Sequence, residues 1–316
     1  MSNLNSRYFG LRCAISVLVD GLLVTVAATL EVQQINENII HDALKRHADK
    51  QTERVVNRIA LYQYGLRGIR GAIVTAGNNL NREVVMQYNS VRNVDEEFPG
   101  ARGFGFIRRV PRAADADFIA AARADGWPDF TIHQLASHDG ERFVIQYIEP
   151  VSRNREAIGF DIASESNRRS AAIAAMRSGE VQLTGPITLV QASNKIHSSF
   201  LILLPIYRDL TANTEAEREA TCIGWSYAPL VIDEIINSLQ ISDDQLLLTL
   251  SDVSDATPVP FYDNAAQSKT RTSYRHSEQK TVFGRHWQLT FTPTPTFIHD
   301  LHLIQPHNVF WLGTLL

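Results

Sequence analysis

The chain has 316 residues, of which 44% are hydrophobic and 20% charged, and its formal net charge is -4. This composition is that of a folded globular protein and excludes general disorder. A mildly acidic chain lacks the basic surface that nucleic-acid binding requires, so we exclude nucleic acid as a partner.

The first predicted element is a membrane-spanning helix at residues 12–31. This run of about 20 residues is apolar apart from Asp20 and a few serines and threonines, and is long enough to cross a bilayer. Arg7 and Arg12 lie on its N-terminal side, which predicts a cytoplasmic N-terminus over residues 1–11. A cleaved signal peptide is the alternative.

Residues 32–77 carry apolar side chains at spacings of three and four. This pattern predicts one long amphipathic helix, or two helices with a small break. Because the segment continues directly from the membrane helix, we expect it to act as a rigid stalk.

After the stalk the pattern changes to short strands and single helices. Strands are predicted at 103–110, 130–135, 142–150, 181–190 and 199–207, and helices at 116–126 and 164–179. In the second helix, Ser164 is the expected N-cap and Gly179 the expected end. This order predicts an α/β (α+β) fold with a central antiparallel sheet.

Residues 208–219 are polar and are predicted to be a linker. The second half repeats the sheet-and-helix style on a smaller scale, with strands at 220–230, 246–253, 270–277 and 286–295 and a helix at 231–239. Residues 308–316 are apolar and predict the start of a second transmembrane helix at 304–316, with a short amphipathic tail as the alternative. Residues 32–303 would then form one extracytoplasmic region between two membrane helices.

No catalytic motif is present. The sequence has no G-x-S-x-G, P-loop, H-E-x-x-H or helix-opening G-x-G-x-x-G, so we predict no enzymatic activity in this region and no cofactor. His299 and His302 have helical spacing but lack a third ligand, so no metal site is predicted. His276 and His286 are interpreted as surface residues.

Asp161 stands in the apolar run "GFDIA", directly before the predicted helix at 164–179. Position alone favours a turn or capping residue. The alternative is a buried carboxylate that accepts hydrogen bonds from the N–H groups of a ligand in an otherwise apolar pocket.

Four segments, in order, carry a family resemblance. They are "PGARGFGFIRRV", "FVIQYIEPVSRN", "AIGFDIASESNRRSAAIAAMRSGEVQLTGPITLV" and "FLILLPIY". They resemble the CHASE domain, the extracellular ligand-sensing module of plant cytokinin receptors and of many bacterial sensor kinases and cyclases. The resemblance covers roughly residues 60 to 250.

The resemblance implies a stalk helix followed by two PAS-like domains, a membrane-distal one at 78–208 that binds ligand and a membrane-proximal one at 209–303. In cytokinin receptors the aspartate of G-x-D and a backbone group of the leucine in L-T-x-P contact the adenine ring, which implies Asp161 and Leu183 here. Further implied pocket residues are Phe160, Tyr147, Thr184, Gln191, Ser193 and Leu203. Ala192 stands where plant receptors have a hydroxyl group, which favours an adenine with an apolar tail.

The resemblance also implies a function. We expect the periplasmic sensor region of a multi-pass inner-membrane receptor, of the sensor histidine kinase type, that perceives a small molecule such as an adenine-type cytokinin. We expect it to form a homodimer through the stalk. The alternatives are the sensor region of a diguanylate cyclase with another ligand, and an ectodomain that binds a protein or peptide.

Overall fold

The computed structural model describes residues 2–189, 199–209, 211–241, 245–265 and 272–315. Two of the predicted pocket residues, Gln191 and Ser193, lie outside the described residues. The helices are α1 (Ser2–Ala76), α2 (Arg82–Ser90), α3 (Val94–Glu97), α4 (Asp115–Ala124), α5 (Val151–Asn154), α6 (Ser166–Ser178), α7 (Glu215–Thr221), α8 (Ile232–Ser238), α9 (Pro295–Asp300) and α10 (Pro306–Leu315). The strands are β1 (Phe104–Val110), β2 (Arg142–Glu149), β3 (Gln182–Leu183), β4 (Ser199–Tyr207), β5 (Cys222–Val231), β6 (Leu246–Asp252), β7 (Val259–Asp263), β8 (His276–Val282) and β9 (Arg285–Pro293).

The predicted membrane helix and the predicted stalk form one continuous helix, α1, so the stalk has no break. Its apolar stripe follows the helical repeat and is buried. The helix ends before Gly77, whose φ of +53° is a left-handed conformation that glycine adopts readily. Among the described residues, one helix, Ile15–Asn79, is long and apolar enough to cross a membrane.

Five strands form the first sheet in the order β2-β1-β5-β4-β3, and every neighbouring pair is antiparallel. β5 lies at the centre of this sheet although it follows residue 208 in the sequence. The sheet therefore combines residues from both sides of the predicted boundary at 208/209.

The two faces of this sheet bury separate clusters. Successive side chains of a strand point to opposite faces. In β4, Phe200, Ile202 and Leu204 pack against the stalk. Leu201 and Leu203 pack on the other face, which α6 covers.

Four strands form the second sheet in the order β7-β6-β9-β8, again antiparallel throughout. Its apolar side chains belong to the same cluster as the stalk and the stalk-facing side of the first sheet. The rings of Phe200, Phe261 and Trp287 have centroids 4.9 to 5.3 Å apart, so aromatic contacts join the two sheets. The prediction of a mixed α/β chain with a long N-terminal helix and antiparallel sheets is confirmed.

Four predicted elements need correction, and one strand was not predicted. The strand predicted at 181–190 contains, in its described part, only the short β3, and the strand predicted at 270–277 is found as β8, which begins at His276. Residues 130–135 are not a strand and form a single bridge between His133 and Phe160. The predicted linker at 208–219 contains the start of α7, because Thr214 and Glu217 form a capping box. Strand β7 was not predicted, since prolines stand both before it and within it, and proline cannot donate to a sheet ladder.

Candidate functional site

Asp161 lies in a short extended segment beside β2. Gly159 has a φ of +88°, and a Cβ at this position would collide with a neighbouring backbone carbonyl, so only glycine fits. The turn places Phe160 in a bridge with His133 and Asp161 in a bridge with Val144 of β2. The G-x-D motif is therefore a tight turn that sends the aspartate inward.

The Asp161 side chain is completely buried, and the protein fills its acceptor positions. Oδ1 accepts hydrogen bonds from the backbone N–H groups of Phe143, at 2.9 Å, and Ala163, at 3.1 Å. Oδ2 accepts one from Arg142 Nη1, at 3.2 Å, and lies 2.9 Å from His138 Nε2, which donates when it carries the proton. A carboxylate has about four acceptor sites, so all are occupied.

Asp161 is therefore both a capping residue and a buried carboxylate, and the groups that surround it belong to the protein. The bond from Ala163 makes it the cap of a 3-10 turn, Ile162–Ser164, and its complete burial makes it a buried charge. Arg142 compensates that charge and also binds Asp115 Oδ2 at 2.7 Å. A buried carboxylate persists only with such compensation.

His138 and Arg142 were not predicted as site residues. His138 stands in the loop before β2 and Arg142 at the start of β2, and no sequence spacing links either to Asp161. The His138 side chain is 10% exposed, and its Nδ1 is shielded from solvent without a hydrogen-bond partner among the described residues. This nitrogen is a free polar position next to the buried carboxylate.

The predicted cap of α6 is wrong. Glu165 caps the helix, because its carboxylate accepts hydrogen bonds from the backbone N–H groups of the first turn at 2.9 and 3.0 Å. Ser164 Oγ donates to the Asp161 carbonyl oxygen at 2.6 Å and accepts from Leu135 N at 3.0 Å. The predicted end at Gly179 is confirmed, with a φ of +78°.

Leu183 joins the two sheets. Its backbone N–H donates to the Phe283 carbonyl oxygen, in the turn between β8 and β9, at 2.9 Å. Its side chain pairs with Ile202 and lies in the cluster that faces the stalk. The structure therefore places the Leu183 side chain on the opposite face of the sheet from Phe160 and Leu203.

Phe160 and Leu203 are buried in one cluster on the face that α6 covers. Arg168 of α6 stacks on the Phe160 ring, with the guanidinium carbon 5.4 Å from the ring centroid. Thr184 is also buried, and its Oγ1 accepts a hydrogen bond from Leu201 N at 3.0 Å. These predicted pocket residues are therefore part of the packed interior of the first sheet.

Tyr147 lies apart from Asp161, at a groove between β2, α4 and the residues that precede α2. Its hydroxyl donates to Asp125 Oδ2 at 2.6 Å, and burial, followed by this carboxylate, raises the pKa of the phenol. Arg108 lines the same groove, and burial lowers the pKa of its guanidinium. Arg108 on an otherwise apolar face of β1 was the sequence signal from which this groove could have been predicted.

Among the described residues, one group has the composition and spacing of metal ligands. Asp49 of α1 and His276 and Glu278 of β8 place their ligand atoms within 4.8 Å of one another. His276, interpreted from the sequence as a surface residue, is partly buried there.

The family described as "CHASE domain" matches residues 78–262, which is more than half of the chain. The chain belongs to the CHASE family. The match begins directly after the stalk helix and covers the whole first sheet, strand β6 and all but the last residue of β7. This CHASE chain is thus an extracellular sensor domain with one apolar N-terminal helix that could span a membrane.

The chain is also similar to a solved structure, an extracellular ligand binding receptor from Desulfohalobium retbaense DSM5692. The identity is 14% and the TM-score 0.39, over 86% of this chain and 39% of that chain. This CHASE chain thus spans well under half the length of that receptor. No curated protein matches it.

Proposed function

We propose that this CHASE chain is the periplasmic ligand-binding region of a transmembrane receptor of the sensor histidine kinase type. In this proposal its membrane-distal, PAS-like sheet binds a small molecule, such as an adenine-type cytokinin, at Asp161. The region itself has no catalytic activity in this proposal. Family membership supports the sensor class. The observation that supports this site is the buried carboxylate of Asp161, in which one oxygen is bound by backbone N–H groups and the other by side chains.

The two oxygens of Asp161 differ in what holds them. Oδ1 is bound by backbone N–H groups, which cannot leave without unfolding the turn. Oδ2 is bound by the side chains of His138 and Arg142, which can rotate away. In the proposed complex, an N–H group of an adenine takes the place of His138 at Oδ2 after the His138 side chain has rotated away.

Contacts at the membrane end support a second membrane helix at 304–316. α10 packs along α1, and a Cβ on Gly313 would lie 2.5 Å from Thr25 Oγ1. Small residues at such a contact let two membrane helices approach closely. Asn36 Nδ2 also donates to the Ile304 carbonyl oxygen at 2.6 Å, where the chain returns to the stalk.

A route for the signal follows from the packing. The stalk, the first sheet and the second sheet share one buried cluster. Leu183 binds the β8–β9 turn, so a shift of β3 on ligand binding would move the second sheet against the stalk. Because the stalk and the two sheets are packed together, a displacement of one changes the relative populations of two arrangements of all three.

Calorimetry on the full chain in detergent tests the site. We expect an adenine with an apolar N6 substituent to bind one to one, Asp161→Asn to weaken binding at least tenfold, and His138→Ala to preserve or strengthen it by freeing Oδ2. Asp115→Asn is the matched control, since it removes the other carboxylate partner of Arg142 and leaves Asp161 untouched. Circular dichroism checks that each variant is folded.

The outcomes separate the alternatives. Binding that Asp161→Asn leaves unchanged would place the ligand elsewhere. Absence of adenine binding, with a peptide or protein from the periplasm bound instead, would favour the interaction ectodomain. The full-length gene product decides between a histidine kinase and a diguanylate cyclase, because each output domain has its own motifs.

A further inference from the structure

The stalk and the second sheet meet at three metal-ligating side chains. His276 and Glu278 stand two residues apart on β8, the edge strand of the second sheet, so both point to the same face. That face packs against α1, where Asp49 is located. The neighbouring Ser277 and Gln279 face outward and are exposed.

The two distances from His276 Nε2 to the carboxylates are longer than hydrogen bonds. His276 Nε2 lies 3.8 Å from Asp49 Oδ1 and 3.4 Å from Glu278 Oε1. Hydrogen bonds from nitrogen to oxygen are about 2.7 to 3.2 Å long. Asp49 Oδ1 and His276 Nε2 are both shielded from solvent and have no hydrogen-bond partner among the described residues.

The outer oxygens of the two carboxylates are already neutralised. Lys45 Nζ lies 2.8 Å from Asp49 Oδ2, and Lys280 Nζ lies 3.3 Å from Glu278 Oε2. Each carboxylate therefore turns one oxygen outward to a lysine and one inward to His276. The inner oxygens and the imidazole nitrogen lie within 4.8 Å of one another.

We propose that Asp49, His276 and Glu278 bind a divalent transition-metal ion of the Zn²⁺ class. Tetrahedral ligands at about 2.0 to 2.1 Å from Zn²⁺ lie about 3.3 to 3.4 Å from one another. The separation of 3.4 Å fits this geometry directly, and the one of 3.8 Å fits after a small side-chain rotation. The partly exposed edge of the site leaves a fourth position for water.

The ligand set selects the class of metal. An imidazole with two carboxylates suits Zn²⁺ and its neighbours, whereas Ca²⁺ and Mg²⁺ prefer oxygen ligands alone. The ion would connect the stalk to the edge strand of the second sheet. It would thus fix the stalk, which continues from the N-terminal apolar helix, to the sheet that precedes α10.

Metal titration of the full chain tests this site independently of the ligand at Asp161. The protein is purified without a histidine tag, stripped with EDTA, and titrated with Zn²⁺ in calorimetry and with Co²⁺ in visible absorption. All variants carry His299→Gln and His302→Gln, because these two histidines near the membrane end are a source of adventitious binding. In this background we expect one equivalent of Zn²⁺ to bind and to raise the Tm.

His276→Gln and Asp49→Asn should each weaken Zn²⁺ binding at least tenfold and abolish the rise in Tm. His286→Gln is the control, since it removes a histidine of the neighbouring strand that lies outside the site, and binding should be unchanged. Absence of stoichiometric binding overturns the proposal, as does binding that His276→Gln does not alter. Binding of Ca²⁺ or Mg²⁺ that His276→Gln does not change also overturns the proposal.

Discussion

The carboxyl group of Asp161 has a structural role beside the ligand-binding role that we propose for it. Two of its four acceptor positions hold a turn together and two are taken by side chains. A substitution that removes the whole group therefore changes stability as well as binding. The milder Asp161→Asn keeps one acceptor oxygen and the same shape, which makes it the better variant for binding experiments.

At the residue scale we predict that Asp161→Ala lowers the free energy of unfolding by about 3 to 5 kcal/mol, because it leaves two buried backbone N–H groups without an acceptor and removes one of the two carboxylate partners of Arg142. Thermal unfolding followed by circular dichroism measures this. The control is Asp115→Ala, which removes a partly exposed partner of the same arginine and should cost about 1 kcal/mol or less. An equal loss of unfolding free energy in the two variants would contradict the description of Asp161 as a buried, charge-compensated carboxylate.

In the membrane arrangement that we propose, the pair α1 and α10 links the domain to the membrane. Gly313 makes their contact possible, since any side chain at this position would collide with Thr25. Trp311, on the same helix, is 62% exposed and points away from the contact.

We predict that Thr25→Cys combined with Gly313→Cys forms an intramolecular disulfide on mild oxidation in membranes, because a Cβ at residue 313 would lie 3.0 Å from the Thr25 Cβ and a shift of about 0.5 Å gives the separation of a disulfide. Peptide mass spectrometry measures it. Cys13 is replaced by serine, and Cys222 can stay because burial raises the pKa of its thiol to about 11, so little reactive thiolate forms. The pair Thr25→Cys with Trp311→Cys is the control, and its crosslinking to the same extent would argue against the packing.

At the scale of the whole molecule, one side of the stalk has no packing partner among the described residues. Leu61, Tyr64 and Val74 are exposed there, and a Cβ on Gly71 would meet nothing within 4 Å. Residues at these spacings lie on one side of a helix. We attribute this stripe to the proposed homodimer, in which the two stalks bury it against each other.

We predict that Tyr64→Glu shifts the full chain from dimer to monomer, because it places a charge in the centre of the stripe. Sedimentation in detergent measures the mass. Met86→Glu is the control, since Met86 is also exposed and apolar but lies on α2, outside the stripe. A mass that is the same for Tyr64→Glu and the unchanged chain would exclude the stalk as the dimer contact.

Local sequence patterns predicted most of the helices and strands. The helical repeat predicted the stalk, and the strong apolar runs predicted β1, β2, β4, β5, β6 and β9. Errors arose where signals were weak or ambiguous. Ser164 and Glu165 are both able to cap a helix, and only the contacts of Ser164 with Asp161 and Leu135 decide between them.

By itself the sequence determined the apolar helix, the amphipathic stalk, the family and the acid in the G-x-D turn, because each depends on residues close together in the chain. Only the tertiary structure decided which side chains meet. His138 and Arg142 reach Asp161 through the pairing of the turn with β2, and Asp49 reaches His276 through the packing of the stalk on β8. Such encounters depend on long-range packing, which no local spacing encodes.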